Sequence, residues 1–142
     1  MTAPSWLTAR PIAHRGLHDR AEGRIENSRS AARAAAQGGF AIECDVQLSA
    51  DGEAVVFHDF ELDRLTGEAG RVRDRSAAEL AALRLTGGAD AIPTLAAFLD
   101  LIGGRVPLVV EIKSAFDGDM RLARRTAEIV AARNAPIAIK SF

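Results

Sequence analysis

Short apolar runs alternate along this chain with segments whose apolar residues recur at helical spacing, and this alternation constrains the fold more than any other feature. Runs typical of strands cover residues 10–14, 40–47, 54–58 and 107–113, and a last one starts at Ile137. Helical patterns lie between most of them. Strands that alternate with helices predict an α/β domain built on a mainly parallel sheet.

The helices are indicated by capping residues and by apolar spacing. We expect one helix over 28–37 with Asn27 or Ser28 as its N-cap, one that begins at the capping box of Ser76 and Glu79, one through Leu95, Phe98, Leu99 and Ile102, and one over 119–133 with Asn134 as its C-cap. Residues 59–104 are long for a strand-to-helix connection, and we expect this segment to form a small cap over a site.

Composition excludes several classes of function. The 142 residues predict a single domain, and 18 Lys and Arg against 19 Asp and Glu leave a net charge of -1, which argues against binding of nucleic acid or anionic membrane. One cysteine, Cys44, excludes an intrachain disulfide. No stretch approaches the ~18 apolar residues of a membrane span, and the N-terminal residues lack a signal-peptide pattern. A cytoplasmic location is therefore expected.

Charged residues share one face of two predicted strands. In residues 40–47 the period of two puts Glu43 and Asp45 on the same face, ~6.6 Å apart along the strand. In residues 107–113 it puts Glu111 and Lys113 opposite the apolar face. These residues lie near the carboxyl ends of the strands, where ligand sites of parallel α/β folds are found.

A half-solvated sheet would explain Glu43-x-Asp45 taken by itself. Helices are expected to cover both faces, however, and covered charges must be paired or bind a cation. Three carboxylates that converge from two strands would form a site for a hard cation such as Ca²⁺ or Mg²⁺. Cys44 lies on the other face, which argues against a soft metal.

Asp51-Gly52 between two alternating runs is typical of a two-residue hairpin. If Ala50 pairs with Glu53, Asp45 faces His58, with Cβ atoms ~5 Å apart. His58 would then lie beside the carboxylates, in position for proton transfer. A single histidine at the end of a strand is more often structural. Two of the three histidines, however, end apolar strands, at positions 14 and 58.

His14-Arg15-Gly16 follows the first strand. Arg15 offers a planar fork of donors suited to phosphate or carboxylate, and Gly16 permits a tight turn. A purely structural role remains open at this point, in which Arg15 pairs with Glu26 and holds the loop.

Taken together, the motifs resemble those of the glycerophosphodiester phosphodiesterase family. They are His14-Arg15-Gly16, Glu26-Asn27-Ser28, Glu43-x-Asp45-Val46, Asp51-Gly52, Val55-Val56-Phe57-His58-Asp59, Asp63-Arg64-Leu65-Thr66-Gly67, Ile92-Pro93-Thr94-Leu95 and Glu111-x-Lys113. Ser28 stands where the family usually has threonine. The resemblance runs from about Pro11 to Phe142 and implies a TIM barrel, which needs ~200–250 residues. It therefore implies only the first half of the barrel, in one domain over residues 1–142 that is truncated at its C-terminus.

The resemblance also implies a metal-dependent enzyme that cleaves glycerophosphodiesters to an alcohol and glycerol 3-phosphate. It implies that three carboxylates hold the divalent cation, that two histidines are the acid–base pair, that Arg15 and Lys113 bind the phosphate, and that Glu26 supports Arg15 or the metal. The three carboxylates are Glu43, Asp45 and Glu111, and the two histidines are His14 and His58.

Two alternatives remain open from the sequence. One is a related phospholipase, similar to phosphoinositide phospholipase C or sphingomyelinase D, which share the two-histidine and metal-carboxylate layout. The other is a non-catalytic barrel fragment, whose open sheet edges would favour self-association or pairing with a missing C-terminal half.

Overall fold

The structure is a computed structural model that describes residues 2–142. Within that range the strands are β1 (Ile12–His14), β2 (Ala41–Leu48), β3 (Ala54–Val56), β4 (Leu108–Ile112) and β5 (Ile137–Ser141). The α-helices are α1 (Arg29–Gln37), α2 (Ala77–Ala82), α3 (Leu95–Ile102) and α4 (Arg121–Ala131). All the predicted strands and helices are present, with small differences at their ends.

The sheet has the order β1-β2-β4-β5, and each of these neighbouring pairs is parallel. β3 pairs antiparallel with the end of β2. Four parallel strands with intervening helices are half of the eight βα units of a TIM barrel, which confirms the α/β fold and the half-barrel architecture expected from the sequence. The carboxyl ends of the parallel strands lie along one edge of the sheet.

The main core lies between the sheet and the helices α1, α3 and α4. Ile42, Cys44 and Val46 of β2 and Val110 of β4 point into this core, and all four are fully buried. Burial raises the pKa of the Cys44 thiol, with the carboxylates of its two sequence neighbours adding to the effect. The predicted division of β2 and β4 into an apolar and a charged face is confirmed, and the charged residues are left on the face away from these helices.

Residues 57–93 pack around a second apolar cluster. It comprises Ile25, Val55, Phe57, Leu62, Leu65, Val72, Leu80, Leu85 and Ile92. The prediction that residues 59–104 form a cap includes too many residues. Its last part contains α3, which belongs to the main core and packs against α1 and β3. This irregular part of the chain is called the 57–93 segment below.

The hairpin register predicted from Asp51-Gly52 is wrong by one residue. β2 and β3 pair Val46 with Val56 and Leu48 with Ala54, which leaves a three-residue loop over 50–52. Gly52 has φ 82°, as expected of a three-residue loop that ends in a left-handed glycine. The backbone carbonyl of Asp45 consequently accepts a hydrogen bond from the N–H of Phe57. His58 therefore does not face Asp45 across the hairpin.

The predicted N-terminal caps of two helices are confirmed, and a third helix has a cap that was not predicted. Ser28 caps α1, Ser76 and Glu79 form the predicted capping box of α2, and Thr94 caps α3. The expectation for Asn134 is wrong, because α4 already ends at Ala131 with Ala132 as its C-cap. Among residues 2–142 we find no helix with the length and apolar content that a membrane crossing requires.

Candidate functional site

Three carboxylates converge on the charged face of the sheet. Glu43 and Asp45 alternate along β2, and the parallel register places Glu111 of β4 directly beside Asp45. One oxygen from each of the three lies within 4.8 Å of the other two. The residues are 5%, 1% and 7% exposed, respectively, so the cluster is removed from bulk water. The convergence expected from strand periodicity is therefore present.

Two lysines lie against these carboxylates. Lys113 Nζ contacts Glu111 Oε1 and lies 3.2 Å from Asp45 Oδ1. Lys140 Nζ lies 2.7 Å from Glu111 Oε2 and 3.3 Å from Glu43 Oε1. Burial opposes the charge of these groups, but their mutual attraction outweighs it, so the pKa of Glu111 is lowered and the pKa values of both lysines are raised.

Lys140 was not predicted as a site residue. β5 pairs in parallel with β4 and sets Lys140 beside Glu111. The sequence did contain a signal, because the period of two that begins at Ile137 separates Ile137 and Ile139 from Lys140. Application of that period to the last strand would have placed this lysine on the charged face.

The carboxylate cluster has the features of a cation site. Among residues 2–142, two of its buried oxygens face only an ammonium group: Glu43 Oε1 lies 3.3 Å from Lys140 Nζ, and Asp45 Oδ1 lies 3.2 Å from Lys113 Nζ. Buried carboxylates are costly unless they are paired with positive charge, and a divalent cation could pair with all three of these carboxylates at once. All-oxygen donor sets suit hard divalent cations. Glu43, Asp45 and Glu111 therefore form a triad that can hold a metal ion.

Arg15 lies at the end of β1 and reaches both the cluster and the neighbouring loop. Its backbone N–H donates to Glu43 Oε2 at 3.1 Å, its Nη1 donates to Glu26 Oε1 at 2.9 Å, and its Nε lies 3.5 Å from Asp45 Oδ2. The expected Arg15–Glu26 pair is present. Arg15 has φ 59°, which is uncommon for a residue with a side chain, and an added Cβ at Gly16 would lie 2.9 Å from Ala31. This turn is therefore closely constrained.

Asn27 fixes Asp45, a role that the sequence did not reveal. Its Nδ2 donates to Asp45 Oδ2 at 2.9 Å, and its Oδ1 accepts from the backbone N–H of Asp45 at 3.2 Å. Asn27 is itself buried and adopts φ 58°. Asparagine is enriched in the left-handed region of backbone conformations. The sequence analysis nevertheless considered Asn27 only as an alternative N-cap of the first helix.

The two histidines lie in different surroundings. His14 is paired in register with Glu43, and its Nε2 lies 3.9 Å from Glu43 Oε2 while its side chain is 67% exposed. His58 Nδ1 lies 2.7 Å from Asp59 Oδ1, and the His58 carbonyl accepts from Gln47 Nε2 at 2.8 Å. His14 thus lies close to the carboxylate cluster. The ring of His58 is instead positioned by Asp59, and its backbone is positioned by Gln47 of β2.

A chain of ion pairs connects His58 to Arg15. Arg64 donates to both oxygens of Asp59 and to both oxygens of Glu26, and Glu26 in turn accepts from Arg15. Hydrogen bonds from Arg64 and then from His58 lower the pKa of Asp59 to about 2, against the effect of burial. Burial raises the pKa of Glu26, but Arg64 and Arg15 outweigh it and lower the pKa. Asp59 and Arg64 belong to two of the motifs that carry the family resemblance, but the sequence analysis assigned no role to either residue.

The sequence of this chain matches the model of the glycerophosphoryl diester phosphodiesterase family over residues 14–136. It is 39% identical over 113 residues to a glycerophosphodiester phosphodiesterase of Caldanaerobacter subterraneus, which covers 72% of this chain and 44% of that protein. It is 42% identical over 64 residues to glycerophosphodiester phosphodiesterase 1 of Bos taurus, which covers 44% of this chain and 18% of that protein.

Solved structures give the same result. A phosphodiesterase of Oleispira antarctica in complex with the product sn-glycerol-3-phosphate superimposes with a TM-score of 0.82 at 28% identity, covering 94% of this chain and 57% of that one. A glycerophosphodiester phosphodiesterase of Thermotoga maritima superimposes with a TM-score of 0.75 at 31% identity, covering 94% and 54%. The chain thus spans about half the length of these two structures and of the Caldanaerobacter protein. Because the family model matches most of its residues, the chain belongs to the glycerophosphoryl diester phosphodiesterase family.

Proposed function

We propose that this chain carries the metal-binding, phosphate-binding and acid–base residues of an enzyme that hydrolyses glycerophosphodiesters to an alcohol and glycerol 3-phosphate. The observation that carries the proposal is the buried triad of Glu43, Asp45 and Glu111, whose oxygens converge within 4.8 Å of one another beside the guanidinium of Arg15. The family membership of residues 14–136 and the activities named for the relatives support it.

Glu43, Asp45 and Glu111 would hold one divalent cation, either Ca²⁺ or Mg²⁺. When bound, the ion offsets the negative charge of the phosphodiester and the charge that develops during its cleavage. Lys113 and Lys140 contact the two oxygens of Glu111 and help to lower its pKa, which favours the ionised form that cation binding requires. Asn27 orients Asp45 through two hydrogen bonds.

Arg15 and Lys113 would bind the non-bridging phosphate oxygens. The guanidinium of Arg15 is oriented by Glu26 through Nη1, and its planar fork of donors suits an anion. Lys113 lies at the end of β4 and supplies a second positive charge at the same edge. Fixed positive groups of this kind stabilise the additional negative charge of the transition state without reorganisation.

His14 and His58 would exchange the protons. His14 removes the proton of a glycerol hydroxyl, whose oxygen attacks phosphorus, while His58 gives a proton to the departing alcohol oxygen. A cyclic phosphate results, and water opens it with the two roles reversed, so that each histidine regains its initial state. Asp59 contacts Nδ1 of His58, which favours the tautomer with its proton on Nδ1 and orients the ring.

The whole of residues 1–142 would act as one domain that supplies half of a barrel. Four parallel strands leave β1 and β5 as edges of the sheet, and an edge strand offers unpaired backbone groups to another chain. Pairing with a second copy or with a separate C-terminal half would cover these edges. A non-catalytic fragment would show the same edges but no turnover.

Turnover of glycerophosphocholine tests the proposal directly. We expect release of glycerol 3-phosphate that stops in EDTA and returns with added Ca²⁺ or Mg²⁺, because removal of the ion removes the charge that offsets the phosphodiester. Absence of turnover with either ion, or turnover that EDTA leaves unchanged, would contradict it. Intact phospholipid vesicles, assayed in parallel, test the alternative of a phospholipase related in layout.

A further inference from the structure

Lys140 joins two carboxylates of the candidate site that lie on different strands. It stands on β5, an edge strand of the sheet, in register beside Glu111 of β4. Its Nζ lies 2.7 Å from Glu111 Oε2 and 3.3 Å from Glu43 Oε1 on β2. A single ammonium group thus bridges two members of the triad, and the reaction outlined above gives this group no contact with the substrate.

The charges at the centre of the cluster balance one another. Three carboxylates carry three negative charges, and among residues 2–142 three cationic side chains lie within 3.5 Å of them. The cationic residues are Arg15, Lys113 and Lys140. Buried carboxylates are stable only when positive charge pairs with them. The chain therefore supplies from its own side chains the charge that a divalent cation would bring.

Lys140 and a divalent cation require the same oxygen atoms. One oxygen from each triad member lies within 4.8 Å of the other two, which suits a single shared ion. Lys140 already faces an oxygen of Glu43 and an oxygen of Glu111. An ammonium group and a divalent cation on the same two carboxylates would repel each other strongly at this short range. Binding of one therefore disfavours the other.

Of the three cationic side chains, that of Lys140 is the one most able to leave. It is 34% exposed, against 20% for Lys113 and 19% for Arg15. Arg15 is also held by its hydrogen bond to Glu26. The exposed ring of Phe142 lies 5.0 Å from the Lys140 ammonium and offers it a cation–π contact that does not involve the carboxylates.

We propose that Lys140 is an internal competitor of the divalent cation. Its ammonium group pairs with Glu43 and Glu111 when no cation is bound, and it leaves both carboxylates when the cation binds. The proposal rests on the proposed function, because it requires a cation held by the triad. Lys140 thus stabilises the cluster of the cation-free chain and lowers the affinity for the cation.

Calorimetry of cation binding, without any substrate, tests the proposal. Lys140→Met retains an apolar stem and removes the ammonium group. Ca²⁺ or Mg²⁺ should then bind about tenfold more tightly, as expected for the loss of one competing charge-assisted contact. If Lys140 instead holds the carboxylates in position for the cation, Lys140→Met binds it more weakly. Weaker or unchanged binding would overturn the proposal.

Two further variants separate competition from a general effect of charge. Lys140→Arg keeps a positive group at the same place and should bind the cation no more tightly than the unaltered chain. Arg124→Gln is the matched control, because Arg124 is an exposed cation of α4, which packs on the other face of the sheet. It should leave the affinity unchanged. A gain in Arg124→Gln equal to that in Lys140→Met would overturn the proposal.

Acetylation of the unaltered chain follows Lys140 directly and does not depend on the folding of a variant. The chain is treated with an acetylating ester in EDTA or in saturating Ca²⁺ or Mg²⁺, and mass spectrometry measures the acetylated fraction of Lys140. Free lysine amide in the same tube corrects for any effect of the ion on the reagent. We expect severalfold faster acetylation with the cation, because the released amine no longer lies against two carboxylates. Equal rates would overturn the proposal.

The outcomes separate this inference from the proposed function. Turnover of glycerophosphocholine that needs the cation, together with unchanged cation affinity in Lys140→Met, rejects the competitor and keeps the phosphodiesterase. Tighter cation binding in Lys140→Met without turnover by the unaltered chain does the reverse. Absence of cation binding in the unaltered chain and in Lys140→Met rejects both.

Discussion

The candidate site has two parts that are held in different ways. Glu43, Asp45 and Glu111 project from β2 and β4, where backbone hydrogen bonds and register fix their positions. His58 and Arg64 belong to the irregular 57–93 segment and reach the rest of the site through ion pairs. The first part is built by periodic structure, and the second part depends on contacts between partly exposed charges.

This difference bears on how each part responds to substitution. A strand-borne carboxylate sits in a buried cluster, so its loss leaves neighbouring charges uncompensated. A loop-borne ion pair between partly exposed groups stabilises little by itself, and salt screens it. We therefore expect strand substitutions to change the cation site and loop substitutions to change the geometry of proton transfer.

His58→Ala gives the largest expected effect. Loss of general acid–base catalysis should lower turnover of glycerophosphocholine by ~10²–10⁴-fold, measured as kcat. The affinity for Ca²⁺ or Mg²⁺ should stay unchanged, because the His58 side chain contacts Asp59 and its link to β2 is through its backbone carbonyl, which the substitution retains. His18→Ala is the matched control, since His18 is exposed and has no assigned role. Full activity of His58→Ala would remove this histidine from the mechanism.

Asp45→Asn tests the strand-borne part. The substitution removes one negative ligand and one partner of Arg15 and Lys113, so cation affinity should fall by at least about 100-fold, measured by calorimetry. Glu128→Gln removes an exposed carboxylate that pairs with Arg125, away from the triad, and should leave the affinity unchanged. Equal cation binding in Asp45→Asn and in the unaltered chain would mean that the carboxylates are held for structure alone.

Sequence periodicity accounts for most of what could be predicted. Alternation along β2 and β4 was sufficient to bring Glu43, Asp45 and Glu111 to one face, because a strand has a fixed period of two. Helix caps at Ser28 and Ser76 followed from local hydrogen-bonding chemistry. Each of these inferences depends on residues that are neighbours in sequence or on a rigid repeat.

The rest depends on contacts that have no period. Arg64 meets Glu26 across 38 positions, and Asn27 meets Asp45 across 18, so only the folded chain reveals these partners. The hairpin register failed for a related reason. Ser49 Oγ accepts from the backbone N–H of Glu53, and the extra residue in the loop shifted every partner by one.

Arg64→Met tests the loop-borne part through its pH dependence. Hydrogen bonds from Arg64 help to hold the pKa of Asp59 at about 2, below its ordinary value of 3.8. A lowered pKa adds stability above the unfolded value, and this contribution is lost as the pH falls from 3.8 through about 2. The variant should therefore be less stable at pH 6, and the difference should shrink toward pH 2.

Urea unfolding at both pH values measures this difference. Arg64→Lys retains one charge but not the double fork, so it should recover only part of the stability. In a turnover assay, Arg64→Met should lower kcat more than it raises KM, because the arginine orients His58 through Asp59. A stability loss that stays constant from pH 6 to pH 2 would contradict the role of the ion pairs.

Ser76→Ala gives the smallest effect and tests whether the 57–93 segment unfolds together with the sheet. Loss of the capping box should lower the free energy of unfolding by about 1 kcal/mol in urea. Ser76→Thr keeps the hydroxyl and should recover most of it. If the two regions form one cooperative unit, the midpoint of the main transition shifts while its slope stays constant. A main transition that does not move would mean that the segment opens separately, and that the charges around His58 are held by a less stable part of the molecule than the carboxylates.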